Sequence, residues 1–276
     1  MEPRAGAEGN AVERGTCRTP SRESVSHGLD RVRETARTRK QERFTALLHH
    51  IDASLLKSAY HWLKKDASAG VDGVTWDAYG EELDRKIASL RVRVHSGAYR
   101  VQPSRRVFIP KPDGRLRPLG IAALEDKIVQ RALVEVLNAV WEEDFLGFSY
   151  GFWPGRGQHD ALDALAVGID ARRVNWVLDA DIAGFFDTVD HDWLVRFVEH
   201  RIGDRRVVRL IRKWLKVGTM EGGTVTPGTV GTPRRAEGAL EGGTLSSRRY
   251  WRTFTCTSSS TSGRTSGGNA MLGGPS

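Results

Sequence analysis

Asp179 and Asp181 are the two residues of this chain whose types and spacing point most directly to chemistry. An apolar run beginning at Val174 delivers them at the end of what reads as a buried strand. Alternation along a strand turns residues two apart to the same side. Paired carboxylate oxygens are hard ligands and suit Mg²⁺, which takes one or two carboxylates and completes its shell with water and substrate phosphates. A ring follows close behind, in Phe185-Phe186, with Asp187 after it. The plainer reading is that the carboxylates are solvated turn residues, that one ring is core packing, and that Asp187 bonds the local backbone. A second candidate lies upstream. Lys111 and Arg117 flank a Pro-Asp-Gly turn, with Arg105, Arg106 and Arg115 nearby. Arginine offers bidentate contacts to phosphate and lysine a point charge, so this pair suits a triphosphate. A solvated basic hairpin is the competing reading. Glycines between Tyr150 and Gly157, with Arg156 among them, would let a phosphate backbone approach closely.

Several elements must position these groups. From Glu42, Phe44, Leu47, Leu48, Ile51, Leu55, Ala59 and Trp62 recur at helical spacing, and the helix is expected to end before Gly70-Val-Asp-Gly73. Asp77 to Val94 reads as a second amphipathic helix. Arg105 to Pro110 and Arg115 to Ile121 read as a β-hairpin around the turn at Lys111 to Gly114. Leu124, Ile128, Ala132, Leu133, Val136, Leu137 and Val140 define the clearest helix, and another is expected from about Gln158 to Ala171. Asp190 is placed to cap a helix carrying Trp193, Leu194, Phe197 and Val198, and one more holds Val207 to Leu215. Helices precede mixed strands and helices without regular alternation, so the fold class is α+β rather than a doubly wound sheet.

The 276 residues suffice for one large domain or two small ones. A net charge of +8 favours polyanionic partners. The two cysteines, Cys17 and Cys256, have no metal or disulfide spacing, and no apolar window is long enough to span a membrane. The first ten residues lack the apolar core of a signal peptide, so a cytoplasmic location is expected and no membrane partner. Residues 1–40 have few large apolar side chains and are expected to form a basic flexible arm, or a weak helix near its end. From Arg234 onward there is no Val, Ile, Lys, Asp or His, and residues 234–276 read as a low-complexity, disordered tail. The folded domain is then expected over residues 41–233.

Five segments in order resemble the reverse transcriptase domain of group II intron-encoded proteins. They are Gly70-Val-Asp-Gly-Val74, Ile109-Pro-Lys-Pro-Asp-Gly-Arg-Leu-Arg-Pro-Leu-Gly120, Leu124-Glu-Asp-Lys-Ile-Val-Gln-Arg131, Phe148-Ser-Tyr-Gly-Phe152 with Pro154-Gly-Arg-Gly157, and Leu178-Asp-Ala-Asp-Ile182 with Gly184-Phe-Phe-Asp187. The resemblance implies right-hand polymerase fingers and an incomplete palm, the palm a small antiparallel sheet. It implies DNA synthesis from deoxynucleoside triphosphates on an RNA template and a DNA primer, with Mg²⁺, within an intron ribonucleoprotein serving splicing and mobility. By position, Asp181 would be the catalytic, metal-binding aspartate and Ile182 would lend its carbonyl to the metal. Phe186 would screen the sugar, and Lys111 and Arg117 would hold the triphosphate. Arg105, Arg106, Arg115 and Arg156 are the candidate nucleic-acid contacts.

The resemblance also has departures. Trp153 and Ala183 stand where the family commonly has basic residues. After Gly231-Thr-Pro233, where the family continues with Gln-Gly and then Tyr-Ala-Asp-Asp, this chain reads Arg234-Arg235, and no aspartate follows Asp204. Permitted codons for Arg248 to Thr257, regrouped from their third base, spell Pro-Leu-Leu-Ala-Asn-Val-Tyr-Leu-His, which resembles what the family carries after its Gln-Gly motif. A frameshift just after Pro233 is therefore expected, with an out-of-frame tail. The polypeptide is expected to be inactive by itself, and poorly soluble because a palm without its later strands leaves an edge and an apolar face open. Two other readings stand beside this one: a non-catalytic RNA-binding remnant, and a metal-dependent glycosyltransferase using Asp179 and Asp181. The oligomeric state is unknown.

Overall fold

The structure is a computed structural model in which residues 22–110, 114, 116–145, 150, 157–172, 176 and 185–231 are described. Its elements in chain order are helix α1 (Arg22–Thr38), a 3₁₀ turn (Leu48–His50), α2 (Ala53–His61), α3 (Trp76–Gly80), α4 (Leu83–Ser96), strands β1 (Ser104–Pro110) and β2 (Leu116–Ile121), α5 (Leu124–Trp141), α6 (Gln158–Arg172), α7 (Phe185–Thr188), α8 (His191–Arg201), α9 (Arg205–Lys216), β3 (Thr219–Glu221) and β4 (Thr224–Thr226). The α+β class read from the pattern holds.

Helix α5 is the axis of the core. It buries Ile128, Val129, Ala132, Val136 and Val140 completely or nearly so, on more than one face. Helices α1 and α2 pack against it. Burying each large aliphatic side chain contributes about 1.5–3 kcal/mol. Helices α8 and α9 pack on each other and extend the same core through Leu194, Val198, Val207, Leu210, Ile211 and Leu215.

The start of the chain's folded part differs from its pattern. Residues 1–40 were expected to form an arm or a weak terminal helix. A helix does form at Arg22–Thr38, and it buries Leu29, Val32 and Ala36 against the core. Three small or medium apolar residues at helical spacing were enough. The single helix expected from Glu42 is instead an extended segment, a 3₁₀ turn and α2. The Phe44 N–H donates to the Arg201 carbonyl at 2.9 Å and its carbonyl accepts from Gly203 and Asp204. The Leu47 and Leu48 N–H groups donate to Asp204 Oδ2 at 2.8 and 2.9 Å. Those donors have distant partners, so the helix starts only at Asp52, whose Oδ1 accepts from Leu55 N at 2.7 Å. The second expected helix, Asp77 to Val94, is divided into α3 and α4. The break falls at Glu82, whose backbone is not helical (φ −127°, ψ 40°).

The hairpin forms as expected, antiparallel, with Ile109 opposite Arg117 and Phe108 opposite Pro118. The sheet has order β2-β1-β3-β4. Strand β3 runs parallel to β1, pairing Ser104 with Thr219, and β4 folds back antiparallel on β3. The described sheet is thus mixed rather than antiparallel, and β3 and β4 were not foreseen. They are short, and their sequence, Thr-Met-Glu and Thr-Val-Thr, carries too little apolar alternation to announce itself. The strand expected over Val174 to Ala180 lies outside the described residues.

Candidate nucleotide and nucleic-acid site

Three of the segments singled out from the sequence, the Gly70–Gly73 loop, the hairpin and the start of α5, meet at the root of the hairpin. The Arg105 guanidinium donates from Nε and Nη2 to the Ala69 carbonyl at 3.1 and 2.8 Å. Lys127 Nζ donates to the Ser68 carbonyl at 2.7 Å. Together they hold the Gly70–Gly73 loop against the start of α5. Gly70 is needed there, because a Cβ would lie 2.5 Å from the Ala123 Cα. Arg106 Nη2 donates to Thr219 Oγ1 at 3.0 Å, and its Nε lies 3.8 Å from Glu221, so it ties β1 to β3. Arg105 and Arg106 were expected as nucleic-acid contacts. The bonds they make here brace the hairpin from within.

The two carboxylates of the Leu124–Arg131 segment have structural partners. Glu125 takes a bidentate pair from Arg93 at 2.9 and 2.7 Å and a bond from the Tyr79 hydroxyl at 3.2 Å. Asp126 is 2 % exposed and accepts from the Tyr99 hydroxyl, from Gln102 N at 3.1 Å and from Trp214 Nε1 at 3.4 Å. Burial first, and the neighbouring Asp126 charge and hydrogen bond second, push the Tyr99 hydroxyl far above its ordinary range, so it stays a donor. The Tyr79 hydroxyl is raised for the same reasons, burial and then Glu125. These carboxylates therefore fasten α4, the β1 approach and α9 to α5 and are not available to a substrate. Sequence reasoning did not give them this role; a run of charged residues on an otherwise apolar helix was the available signal.

Phe186 is buried and lies edge-on to Phe185, with ring centroids 5.3 Å apart at 78°. It stands outside the main apolar core. Behind it sits Gly231, at φ +75°. The Gly231 N–H donates to the Val189 carbonyl at 2.9 Å, and the Gly231 carbonyl lies 2.6 Å from His191 Nε2. A Cβ at Gly231 would come within 2.8 Å of the Phe186 carbonyl and 2.7 Å of the Asp187 carbonyl. Gly231, the first residue of one motif, and the Phe185-Phe186-Asp187 turn, read separately in the sequence, are thus in backbone contact. The expected cap also forms, with Asp190 Oδ1 accepting from Trp193 N at 2.8 Å.

Arg117 lies in β2 opposite Ile109, on the outer strand of the sheet. Phe108, Ile109 and Leu116 are exposed on the same hairpin, so it presents apolar side chains outward. Lys111, Arg115, Arg156, Asp179, Asp181 and Ile182 lie outside the described residues. Among the described residues no group of His, Cys, Asp or Glu could hold a metal ion. No described helix is long and apolar enough to cross a membrane.

A hairpin braced at its root, a glycine-pinned aromatic turn and an α+β frame define a class that sequence comparison makes explicit. The profile of the reverse transcriptase (RNA-dependent DNA polymerase) family matches residues 109–249, and the chain belongs to that family. Within it, the chain stands with the group II intron-encoded reverse transcriptases and maturases. It is 32% identical over 208 residues to the group II intron-encoded protein LtrA of Lactococcus lactis subsp. cremoris, covering 75% of this chain and 34% of that one. It is 40% identical over 168 residues to Protein YkfC of Escherichia coli K12, covering 60% of this chain and 44% of that one. A 91 kDa protein in the cob intron of Schizosaccharomyces pombe is 36% identical over 174 residues, 63% of this chain and 20% of that one. The chain therefore spans less than half the length of these relatives. The family generally uses divalent metal ions, and its intron-encoded members bind RNA and use nucleotide substrates.

Proposed function

We propose that this chain supplies the fingers and part of the palm of a group II intron reverse transcriptase, which copies RNA into DNA and serves intron splicing and mobility. The observation that carries the reading is the seating of Gly231 on the Phe186 and Asp187 carbonyls. It brings together two motifs of the family that are far apart in sequence, one of which carries Phe186, five residues after Asp181. In this reading Lys111 and Arg117 hold the triphosphate of a deoxynucleotide, and Phe186 limits the room beside its sugar. Arg115 and Arg156 contact the template or primer backbone, while Arg105 and Arg106 keep the hairpin at its working angle.

The donor set at Asp181, a carboxylate followed by the Ile182 carbonyl, is hard oxygen and fits Mg²⁺. Bound there, the ion would stabilise charge on the reacting phosphate and primer oxygens. Asp181 would hold the ion, and the protein would otherwise orient the nucleotide. The aspartates that the resemblance places downstream are not in this sequence, which has none after Asp204. The polypeptide by itself is therefore proposed to bind RNA without extending a primer.

Primer extension on an RNA template with Mg²⁺, run beside RNA binding, tests this. The expected result is salt-dependent RNA retention with no nucleotide incorporation. Incorporation that Asp181→Ala abolishes would overturn the inactivity of the isolated polypeptide. Absence of RNA binding at low salt would overturn the functional reading itself. The competing glycosyltransferase reading has nothing to favour it in the described structure, which lacks alternating β-α units.

A further inference from the structure

Helix α9 carries a cationic stripe that none of the roles above uses. Arg205, Arg209, Arg212 and Lys216 are all exposed. At 3.6 residues per turn they fall within a wedge of about 60°, along roughly 16 Å of helix. The opposite faces are spent on the core, through Val207, Val208, Leu210, Ile211 and Leu215. Among the described residues Arg205, Arg209 and Lys216 have no carboxylate within ion-pairing distance, and Arg212 has only an exposed contact to Glu199 at 3.3 Å. The off-stripe cations behave differently. Arg206 turns back to Asp204, and Lys213 Nζ is taken up by the Gly97 and Tyr99 carbonyls at 3.2 and 2.6 Å.

The N-terminal end of the stripe also runs against local electrostatics. The first turn of α9 has no acidic residue and begins with Arg205, although cations near a helix N-terminus cost about 0.3–1 kcal/mol each. Four like charges on one face repel each other as well. Lys216, in the last turn, is favourably placed at the helix C-terminus, but the repulsion along the stripe remains, and a polyanion laid along the helix would neutralise it. At its C-terminal end the stripe leads into β3, where Thr219 pairs with Ser104 and bonds Arg106 at the hairpin root. A strand held on α9 is thereby led toward the hairpin.

We propose that the exposed face of α9 is an RNA-backbone docking tract, separate from the nucleotide site and read through phosphate charge rather than base sequence. The identity of the polymer as RNA rests on the function proposed above; the charge tract does not.

The test is binding of a mixed-sequence structured RNA by the full chain across a salt series. The variant R205Q/R209Q/R212Q/K216Q is compared with an equal-charge control, R31Q/R37Q/K65Q/R85Q, which removes four exposed cations from other elements. Losing four phosphate contacts lowers the slope of log K against log salt by about 2.8–3.6. Between about 50 and 200 mM salt the wild-type chain then loses roughly 50- to 150-fold more affinity than the α9 variant. The control is expected to keep most of the wild-type slope. An α9 slope within half a unit of wild type, or an equal fall in both variants, overturns the tract. So does retained RNA binding with selective loss of binding to phosphatidylserine vesicles, which would make the face a membrane contact. Circular dichroism of both variants confirms that the helices remain. Because the readout is RNA affinity alone, an inactive polymerase site does not affect it.

Discussion

Asp204→Ala is expected to be among the most damaging single substitutions outside the apolar core. The Asp204 carboxylate is 2 % exposed and makes three backbone bonds. Oδ1 accepts from Arg206 N at 2.9 Å, capping α9, and Oδ2 accepts from Leu47 N and Leu48 N. Loss of a helix cap costs about 1 kcal/mol. Leaving a buried donor unsatisfied costs about 1–3 kcal/mol, and two donors lie under Oδ2. The sum is about 3 kcal/mol or more. With a urea dependence of about 1–3 kcal/mol per molar, the midpoint falls by at least about 1 M. Trp214, in α9 itself, makes tryptophan fluorescence a suitable probe of the transition. Asp204→Asn keeps an acceptor oxygen and should lose clearly less. The same group sets a pH dependence. Burial alone would raise its pKa, but the Leu48, Leu47 and Arg206 N–H groups outweigh burial and hold it below the ordinary aspartate value. A depressed folded pKa means that the stabilisation is complete above the unfolded value of about 3.9 and is lost as pH falls through the lower folded value. Acid sensitivity in that range should therefore be smaller in Asp204→Asn than in the wild-type chain. An Asp204→Ala midpoint within error of wild type would refute the claim that this carboxylate ties residues 44–50 to α9.

Three further outcomes are expected. Gly231→Ala forces a left-handed backbone onto alanine, at a cost of about 1–2 kcal/mol, and pushes its Cβ into two carbonyls; the melting temperature should drop by about 2–8 °C, and an unchanged melt would show that the Phe186 turn is not seated on this residue. Arg201→Met strips the partner from Asp144, which Arg201 bonds at 2.7 Å while also donating to the Arg39 and Glu42 carbonyls, and should destabilise by about 3–5 kcal/mol. Burial already raises the Asp144 pKa against the pull of Arg201, so the variant's stability should improve as pH is lowered from neutral toward 5; a loss that does not depend on pH would refute the role of the stranded carboxylate. Finally, the gene read in the alternative frame beyond the Pro233 codon should encode Tyr-Ala-Asp-Asp, and DNA sequence without it removes the frameshift.

Much of the frame was legible because its signals are local. The Pro-Asp-Gly turn between two β-type runs defined the hairpin, and the apolar spacing of α5 and the Asp190 cap defined their helices. The misreadings share a cause. Phe44 to Leu48 has helical spacing, yet its backbone groups bond Arg201, Gly203 and Asp204, partners no local pattern can reveal. Charged residues have distant partners of the same kind: Arg105, Arg106, Glu125 and Asp126 are each engaged by a carbonyl, hydroxyl or guanidinium from another segment, which no local pattern reveals. The unused cations of α9 were visible as residues, but only burial of the other faces shows that they form one exposed tract.

The long reach of Asp204 has a consequence for synthesis on the ribosome. Leu47 and Leu48 find their acceptor 157 and 156 residues later. Strand β1 likewise has no partner on one side until Thr219 is made. At about 5–20 residues per second, the N-terminal segment waits roughly 8–30 s for the residue that satisfies it. During that interval the part of the core completed by α8 and α9 is open, and codons that slow translation before Asp204 should lower the yield of soluble protein.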